Sequence, residues 1–248
     1  RAIILAAGSG LRLGQHTNDI PKALLDLNGK SILERQISLL REYGVNEIFV
    51  VTGYKREKHI LKDIEYIFNP RYSETEQLAS MMVARTKISD DVLVIFGDIV
   101  FDGQILQQIL ASNDDIAMAI DLNWEKSYND GLCNSHPLDE PVLINQKKIL
   151  RISYKQTDTM IENQTVGEFL GVIKLSANGS RTIIKKYEEL EKSHVGRFHD
   201  ANSLEKAKLA DILQELIDSK IEISFIPVNG KWCEIDTPKD LERARKNF

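Results

Sequence analysis

The sequence predicts an α/β fold in one domain, a mostly parallel mixed sheet flanked by helices. Two apolar runs and the alternation around them carry that expectation. Ala2–Ala7 (AIILAA) is apolar at every position, as suits a parallel strand covered on both faces. Val92–Phe96 (VLVIF) has the same character. Between them, strand-like runs alternate with helix-like segments, the pattern of βαβ units with right-handed crossovers. With 248 residues, 42% of them hydrophobic and 28% charged, the chain can enclose a substantial core.

A glycine-rich turn, Gly8–Gly14, follows the first strand. Ser31-Ile-Leu-Glu34 is a capping box in which the serine oxygen accepts from first-turn amides while the glutamate reaches back. It opens a helix with Leu33, Ile37 and Leu40 on one face, and Gly44 stops it. Glu47–Val51 reads as a strand, Arg56–Asp63 as a helix and Ile64–Phe68 as a short strand. Thr75 is placed to cap a helix from Glu76 to about Thr86, and Asp102 to cap another after the Gly97-Asp98 strand end. Beyond Ile120 the pattern changes. Asn123–Glu140 reads as a long polar loop, and Val142–Asn145, Ile149–Tyr154 and Thr165–Lys174 as strands. Helices over Gly179–Lys192 and Ser203–Asp218, a strand at Ile221–Val228 and a last helix opened by Thr237-Pro238 complete the chain. Residues 1–120 and 121–248 are expected to be two halves of one continuous domain.

Composition narrows the function. A net charge of −5 argues against a general nucleic-acid binder, which shows a basic face. No apolar run reaches the roughly 18–20 residues needed to span a bilayer. Cys133 and Cys233 form no CxxC pair and read as reduced thiols of a cytoplasmic protein. The sequons at Asn163 and Asn178 are then chance matches. A chain that starts at Arg1 and runs straight into a strand suggests a trimmed start or an excised domain.

A strand, a glycine turn and a helix can hold phosphate through main-chain amides. Two familiar versions do not fit. The dinucleotide pattern G-x-G-x-x-G accommodates Gly8 and Gly10 but meets Leu13 at its third glycine. The Walker pattern fails because Gln15 follows Gly14. What stands here is Ala6-Ala7-Gly8-Ser9-Gly10-Leu-Arg12-Leu-Gly14 and then Pro21-Lys22. Arg12 offers a planar fork to two phosphate oxygens, and Lys22, in a loop expected to face solvent, a point charge.

That combination resembles the signature of the nucleotidyltransferase superfamily that includes sugar-nucleotide and phosphocholine cytidylyltransferases. The similarity covers nearly the whole chain. Asn69-Pro-Arg-Tyr72-Ser-Glu-Thr75-Glu-Gln77-Leu-Ala-Ser80 resembles the cytidylyltransferase segment beside the base and ribose, departing at Glu76-Gln77 where some relatives carry two Asn. Gly167–Ser176 and Trp232-Cys-Glu234-Ile-Asp236-Thr-Pro resemble the nucleotidyltransferase domain fused to phosphoenolpyruvate mutase in phosphonate pathways. The resemblance implies a Rossmann-like fold of the nucleotide-diphospho-sugar-transferase type, with residues 1–120 binding nucleotide and 121–248 binding acceptor and metal. It implies CMP transfer from CTP to 2-aminoethylphosphonate or a related phosphonate or phosphocholine, with Mg²⁺ as cofactor and pyrophosphate released. A homodimer, and fusion to or partnership with another phosphonate-pathway enzyme, are further expectations.

Mg²⁺ takes hard oxygens. Asp98 sits where a buried strand emerges at its C-terminal edge, the place where open α/β sheets bind ligands. Glu234 and Asp236, two apart, share a face of an extended segment, although Asp236 can also be read as a helix cap. An acceptor phosphonate is already anionic, so no general base is needed. Positive charge and alignment are what the protein must supply. Arg12 and Lys22 serve the triphosphate, and Lys155, after the Ile149–Tyr154 strand, is the expected acceptor cation. Ala6, Ala7, Gly8, Ser9, Gly10, Gln77, Ser80 and Asp98 are expected on the nucleotide, and Trp124, Tyr128, Glu168 and Trp232 on the acceptor. A quaternary ammonium wants an aromatic cage, for which the tryptophans and Tyr128 qualify. A primary amine wants carboxylates, for which Asp130, Asp139, Glu140, Glu168 and Asp200 qualify. Lys206–Lys208 reads as a solvated helix face, and His194, His199 and Asp200 match no closed zinc pattern. The alternatives are a sugar-1-phosphate nucleotidylyltransferase and a non-catalytic nucleotide-binding regulatory domain.

Overall fold

A computed structural model describes residues 1–129, 131, 140–146, 148–153 and 163–248. In chain order the elements are β1 (Ala2–Ala6), β2 (Asp26–Leu27), β3 (Lys30–Ser31), α1 (Ile32–Glu42), β4 (Ile48–Thr52), β5 (Glu65–Phe68), α2 (Gln77–Val83) and β6 (Val92–Phe96). They continue with β7 (Ile99–Phe101), α3 (Gly103–Leu110), β8 (Ile116–Asp121), α4 (Trp124–Asn129), β9 (Pro141–Asn145), β10 (Lys148–Ile152) and β11 (Gln164–Leu175). The last are α5 (Ala177–Ser193), α6 (Leu209–Asp218), β12 (Ser224–Pro227), β13 (Trp232–Glu234) and α7 (Pro238–Asn247).

The main sheet is mixed and flanked by helices, in one domain. Its path runs β10-β9-β11-β6-β1-β4-β5, with β8 on β11 and β12 on β8. The strands β6, β1, β4 and β5 are parallel. β11 enters antiparallel beside β6 and also pairs with β8 and β9. Its register shifts between Phe169 and Ile173, where Gly171 has φ +78° and lies against the Phe96 ring. A Cβ there would meet that ring at 2.3 Å, so only glycine fits the bend. Burial explains the apolar runs: β1, β4, β6 and β8 are almost wholly enclosed, with side chains of both faces buried.

Several local readings change once tertiary contacts are visible. The helix expected at Arg56–Asp63 is one 3₁₀ turn, Arg56–Lys58. The Leu61 N–H donates to the Tyr66 hydroxyl instead of to a helical carbonyl, and Asp63 adopts φ +60°. Thr75 does not cap α2. Its hydroxyl donates to the Arg71 carbonyl and accepts from the Asn69 amide, and Glu76 occupies the cap position. The helix expected over Ser203–Asp218 is broken at Ala207, whose carbonyl accepts from Leu78 N–H, and α6 begins afresh at Leu209. Within the expected loop Asn123–Glu140, residues Trp124–Asn129 are helical. The sequence predicts no strand at β2, β3, β7 or β8. Asp102 does cap α3, accepting from Ile105 N–H at 3.3 Å. No helix among the described residues is long and apolar enough to cross a membrane.

One buried group links the fold to pH. His59 is 6% exposed, stacks obliquely on Tyr66 at 5.8 Å, and has no hydrogen-bond partner for either ring nitrogen among the described residues. Burial pushes its pKa down from 6.5 to about 4, with Glu57 opposing weakly. Between those values the unfolded chain binds the proton and the folded chain does not. Stability is therefore expected to fall as pH drops from about 6.5 to about 4. Urea unfolding across that range should show a shallower decline in His59→Phe. An identical pH profile in the two proteins would remove His59 as the cause.

Candidate active site

The glycine turn after β1 is pinned from both ends. Gly10 has φ +69°, and a Cβ on it would meet the Lys22 Cβ at 2.9 Å, so glycine lets the two cationic loops close on one another. The Thr17 hydroxyl donates to the Gly10 carbonyl at 3.0 Å. Leu13, the residue that breaks the dinucleotide pattern, is fully buried in a small second core with Cys233, Ile235, Leu241 and Ala244. The turn is thereby fastened to the C-terminal β13 and α7, which no dinucleotide turn requires.

That attachment brings distant carboxylates to the cations. β13 pairs antiparallel with β7, placing Glu234 opposite Ile99, and the Ile235 N–H donates to the Asp98 carbonyl at 2.9 Å. Buried Gln36, on α1, holds the other side of the Asp98 turn by donating to the Phe96 and Ile99 carbonyls at 2.8 and 2.7 Å. Asp98, Glu234 and Asp236 each bring a carboxylate oxygen within 4.8 Å of the others. Asp236 is not the cap of α7. Thr237 and Asp240 form that capping box, and Asp240 also accepts from the Asp236 N–H.

Lys22 lies between two of these acids. Its ammonium is 2.8 Å from Asp98 Oδ2 and also pairs with Asp236 Oδ1, while Arg12 donates to Asp236 Oδ2 at 2.6 Å. The loop does not leave Lys22 facing solvent, as the sequence suggested, for it is only 8% exposed. Burial alone would depress its pKa, but Asp98, Asp236 and Glu234 together reverse that and hold it above the ordinary lysine range. The three acids suit Mg²⁺, which prefers hard oxygens. Asp98 Oδ1 is buried with no hydrogen-bond partner among the described residues, an orphan that a cation would satisfy.

A cavity of about 490 Å³ opens over this cluster, lined by Gly8–Leu11 of the turn, Arg12, Lys22, Gln77, Asp98, Glu234 and Asp236. A contiguous cavity of about 450 Å³ is lined by Ala7, Gly8, Ser9, Tyr72, Gln77, Ser80 and Asp98 among others. Ala6 is a buried strand residue on neither wall. Ser80 Oγ accepts from Asn69, and Gln77 Oε1 accepts from Leu209 N–H, so this wall is held by polar contacts.

The residues expected on the acceptor lie elsewhere. Trp232 is 3% exposed, and its indole N–H donates to Asp121. Glu168 is buried within β11, between β8 and β9. Trp124 lines a separate cavity and donates to the Val166 carbonyl, and Tyr128 lies exposed on α4. None of the four lines the 490 Å³ cavity. Its remaining wall is built from Glu76, Phe96, Glu140, Phe169, Leu170 and Lys208. Lys208, read from sequence as part of a solvated helix face, therefore borders the site. Nothing in its lysine-rich neighbourhood marks that role. Lys155, like Asp130 and Asp139, lies outside the described residues.

The family model described as a MobA-like NTP transferase domain matches residues 2–157. The chain is 28% identical over 252 residues to a CTP:phosphoglutamine cytidylyltransferase of Campylobacter jejuni, covering 97% of both chains. Over 127 residues it is 35% identical to a CMP-5'-(3-aminopropyl)phosphonate synthase of Streptomyces rubellomurinus, covering 48% of this chain and 20% of that protein. The inositol-1-phosphate CTP transferase from T. maritima superposes with a TM-score of 0.74 at 22% identity, over 99% of this chain and 95% of the other.

Proposed function

This chain belongs to the MobA-like NTP transferase family, and on that footing we propose that it transfers CMP from CTP to a small phosphonate or phosphate, with 2-aminoethylphosphonate the favoured acceptor. One observation carries the reading: an arginine and a buried lysine meet three carboxylates beside a glycine turn, within one cavity. The cytidylyltransferases among its relatives support cytidine as the base. Mg²⁺, when bound by Asp98, Glu234 and Asp236, supplies charge neutralisation to the triphosphate.

The chain's own residues do the rest. The Gly8–Gly10 turn lines the cavity and would offer its amides to the phosphates, with Gln77 and Ser80 bordering the space left for the nucleoside. Arg12 and Lys22, here on Asp236 and Asp98, lie where they can turn to phosphate oxygens without leaving the cluster. An acceptor oxygen then attacks the α-phosphorus in line. The bond to the β-phosphate oxygen breaks, and pyrophosphate leaves with its electron pair. No proton needs to be abstracted, because the attacking oxygen is already anionic. Most of the rate enhancement is asked of alignment and fixed positive charge.

Pyrophosphate release measured with CTP, UTP, ATP and GTP tests this, each paired with 2-aminoethylphosphonate, phosphocholine or glucose 1-phosphate. The expected result is the highest kcat/KM for CTP with 2-aminoethylphosphonate. Turnover confined to UTP and glucose 1-phosphate would replace both substrates in the reading.

A further inference from the structure

The cavity wall made by Glu140 and Lys208 carries an ion pair that the nucleotide chemistry leaves unused. Lys208 Nζ lies 2.7 Å from Glu140 Oε1, with the carboxylate side chain 10% exposed and the lysine side chain 52% exposed. Both residues are anchored by their backbones. Lys208 N–H donates to Asp211 at 2.7 Å, the next residue donates to Gln77, and the Glu140 carbonyl accepts from Phe169 N–H. The pair thus shares one cavity with Arg12, Lys22 and the three acids, and it is tied to the nucleotide wall through Gln77.

We propose that Glu140 and Lys208 select a zwitterionic acceptor, Lys208 holding its phosphonate or phosphate oxygens and Glu140 its primary ammonium. The inference rests on the transfer reaction proposed above. Its physical basis is the balance of charge on binding. An acceptor bearing only an oxyanion would draw Lys208 from Glu140 and offer that enclosed carboxylate no ammonium in exchange, which is costly. A zwitterion replaces both halves of the pair at once, ammonium for ammonium and oxyanion for carboxylate. Lysine suits the exchange, being a point charge on a flexible stem, and a primary ammonium offers donors that a carboxylate accepts. The pair therefore disfavours sugar phosphates as well as favouring an amine.

Ethylphosphonate, which is 2-aminoethylphosphonate without its amine, separates the two roles. With CTP saturating, Glu140→Gln is expected to raise KM for 2-aminoethylphosphonate about tenfold or more while lowering KM for ethylphosphonate, or at least not raising it. Lys208→Met should raise KM for both by about tenfold or more, and neither change should move KM for CTP by more than about twofold. Lys208→Arg should recover part of the loss. The double variant Glu140→Gln/Lys208→Met removes both charges of the pair together, so neither is left facing a neutral side chain. It is expected to fold even where a single variant does not, and to have lost the preference for 2-aminoethylphosphonate over ethylphosphonate. Equal effects of Glu140→Gln on the two acceptors, or a preference retained in the double variant, would overturn the inference while leaving CMP transfer standing. A wild-type protein that releases no pyrophosphate from CTP with any acceptor would overturn the transfer reaction, and the inference with it.

Discussion

Lys22→Met is expected to lower kcat about 100- to 1,000-fold, the usual cost of removing one fixed donor from a charge-stabilising site. The methionine fills much of the lysine stem's volume and removes the ammonium, so packing is nearly conserved. What changes is the field. Lys22 is buried and touches both Asp98 and Asp236, so its loss leaves two acids facing each other with Arg12 alone in compensation. Breaking a buried pair in this way costs stability as well, up to about 3–5 kcal/mol before solvent relaxes around the acids. The thermal midpoint should therefore fall, and Mg²⁺ should recover part of it by supplying the missing positive charge. Lys22→Arg should not restore turnover, because a planar fork cannot occupy the position of a compact ammonium between two carboxylates. Steady-state pyrophosphate release and thermal melts with and without Mg²⁺ measure both effects. Turnover within a few-fold of wild type would remove Lys22 from the chemistry.

The second large effect is expected from Asp236→Asn. Both Asp236 oxygens are engaged, one by Lys22 and the other by Arg12 at 2.6 Å. The amide keeps the size of the side chain, loses its charge and presents an N–H to one of the two cations. We expect kcat to fall about 10- to 100-fold and the Mg²⁺ concentration for half-maximal activity to rise about tenfold or more. Mn²⁺ binding followed by electron paramagnetic resonance, with no acceptor present, separates loss of the cation from loss of turnover. Unchanged Mn²⁺ affinity would take Asp236 out of the metal set. Asp102→Ala serves as the contrast. Asp102 accepts from Ile105 N–H at the start of α3 and from Lys231 N–H, away from the cavity. It should cost stability, about 0.5–2 kcal/mol if the cap is lost, and leave the Mg²⁺ dependence alone.

The local signals that proved legible share a physical origin. The capping boxes at Ser31/Glu34 and Thr237/Asp240 depend on residues three apart, so they fold as the sequence announces. The apolar runs of β1 and β6 similarly declare burial on two faces. Failures cluster where a group outside the helix competes for the same backbone. Ala207 leaves its helix because its carbonyl is used by Leu78, and Leu61 leaves its own because a Tyr66 hydroxyl is offered to it. Aromatic residues misled for a related reason: a tryptophan in a polar sequence context suggests a binding surface, yet Trp232 is enclosed and bonded to Asp121.

By itself the sequence determined the α/β class, the order of most elements, the glycine turn with Arg12 and Lys22, and the three acids as hard-oxygen candidates. Those properties reside in residue type and short spacing, which the chain carries wherever it goes. Only the tertiary structure decided that Lys22 is buried between Asp98 and Asp236, that Leu13 fastens the turn to β13, and that Glu140 and Lys208 border the cavity. Such facts depend on antiparallel pairing of β13 with β7 and on the seating of residues 205–209 against α2, contacts made across more than 100 residues of chain. A charge has no pattern of its own at that range. Its environment, and with it its role, comes from whatever the folded backbone sets beside it.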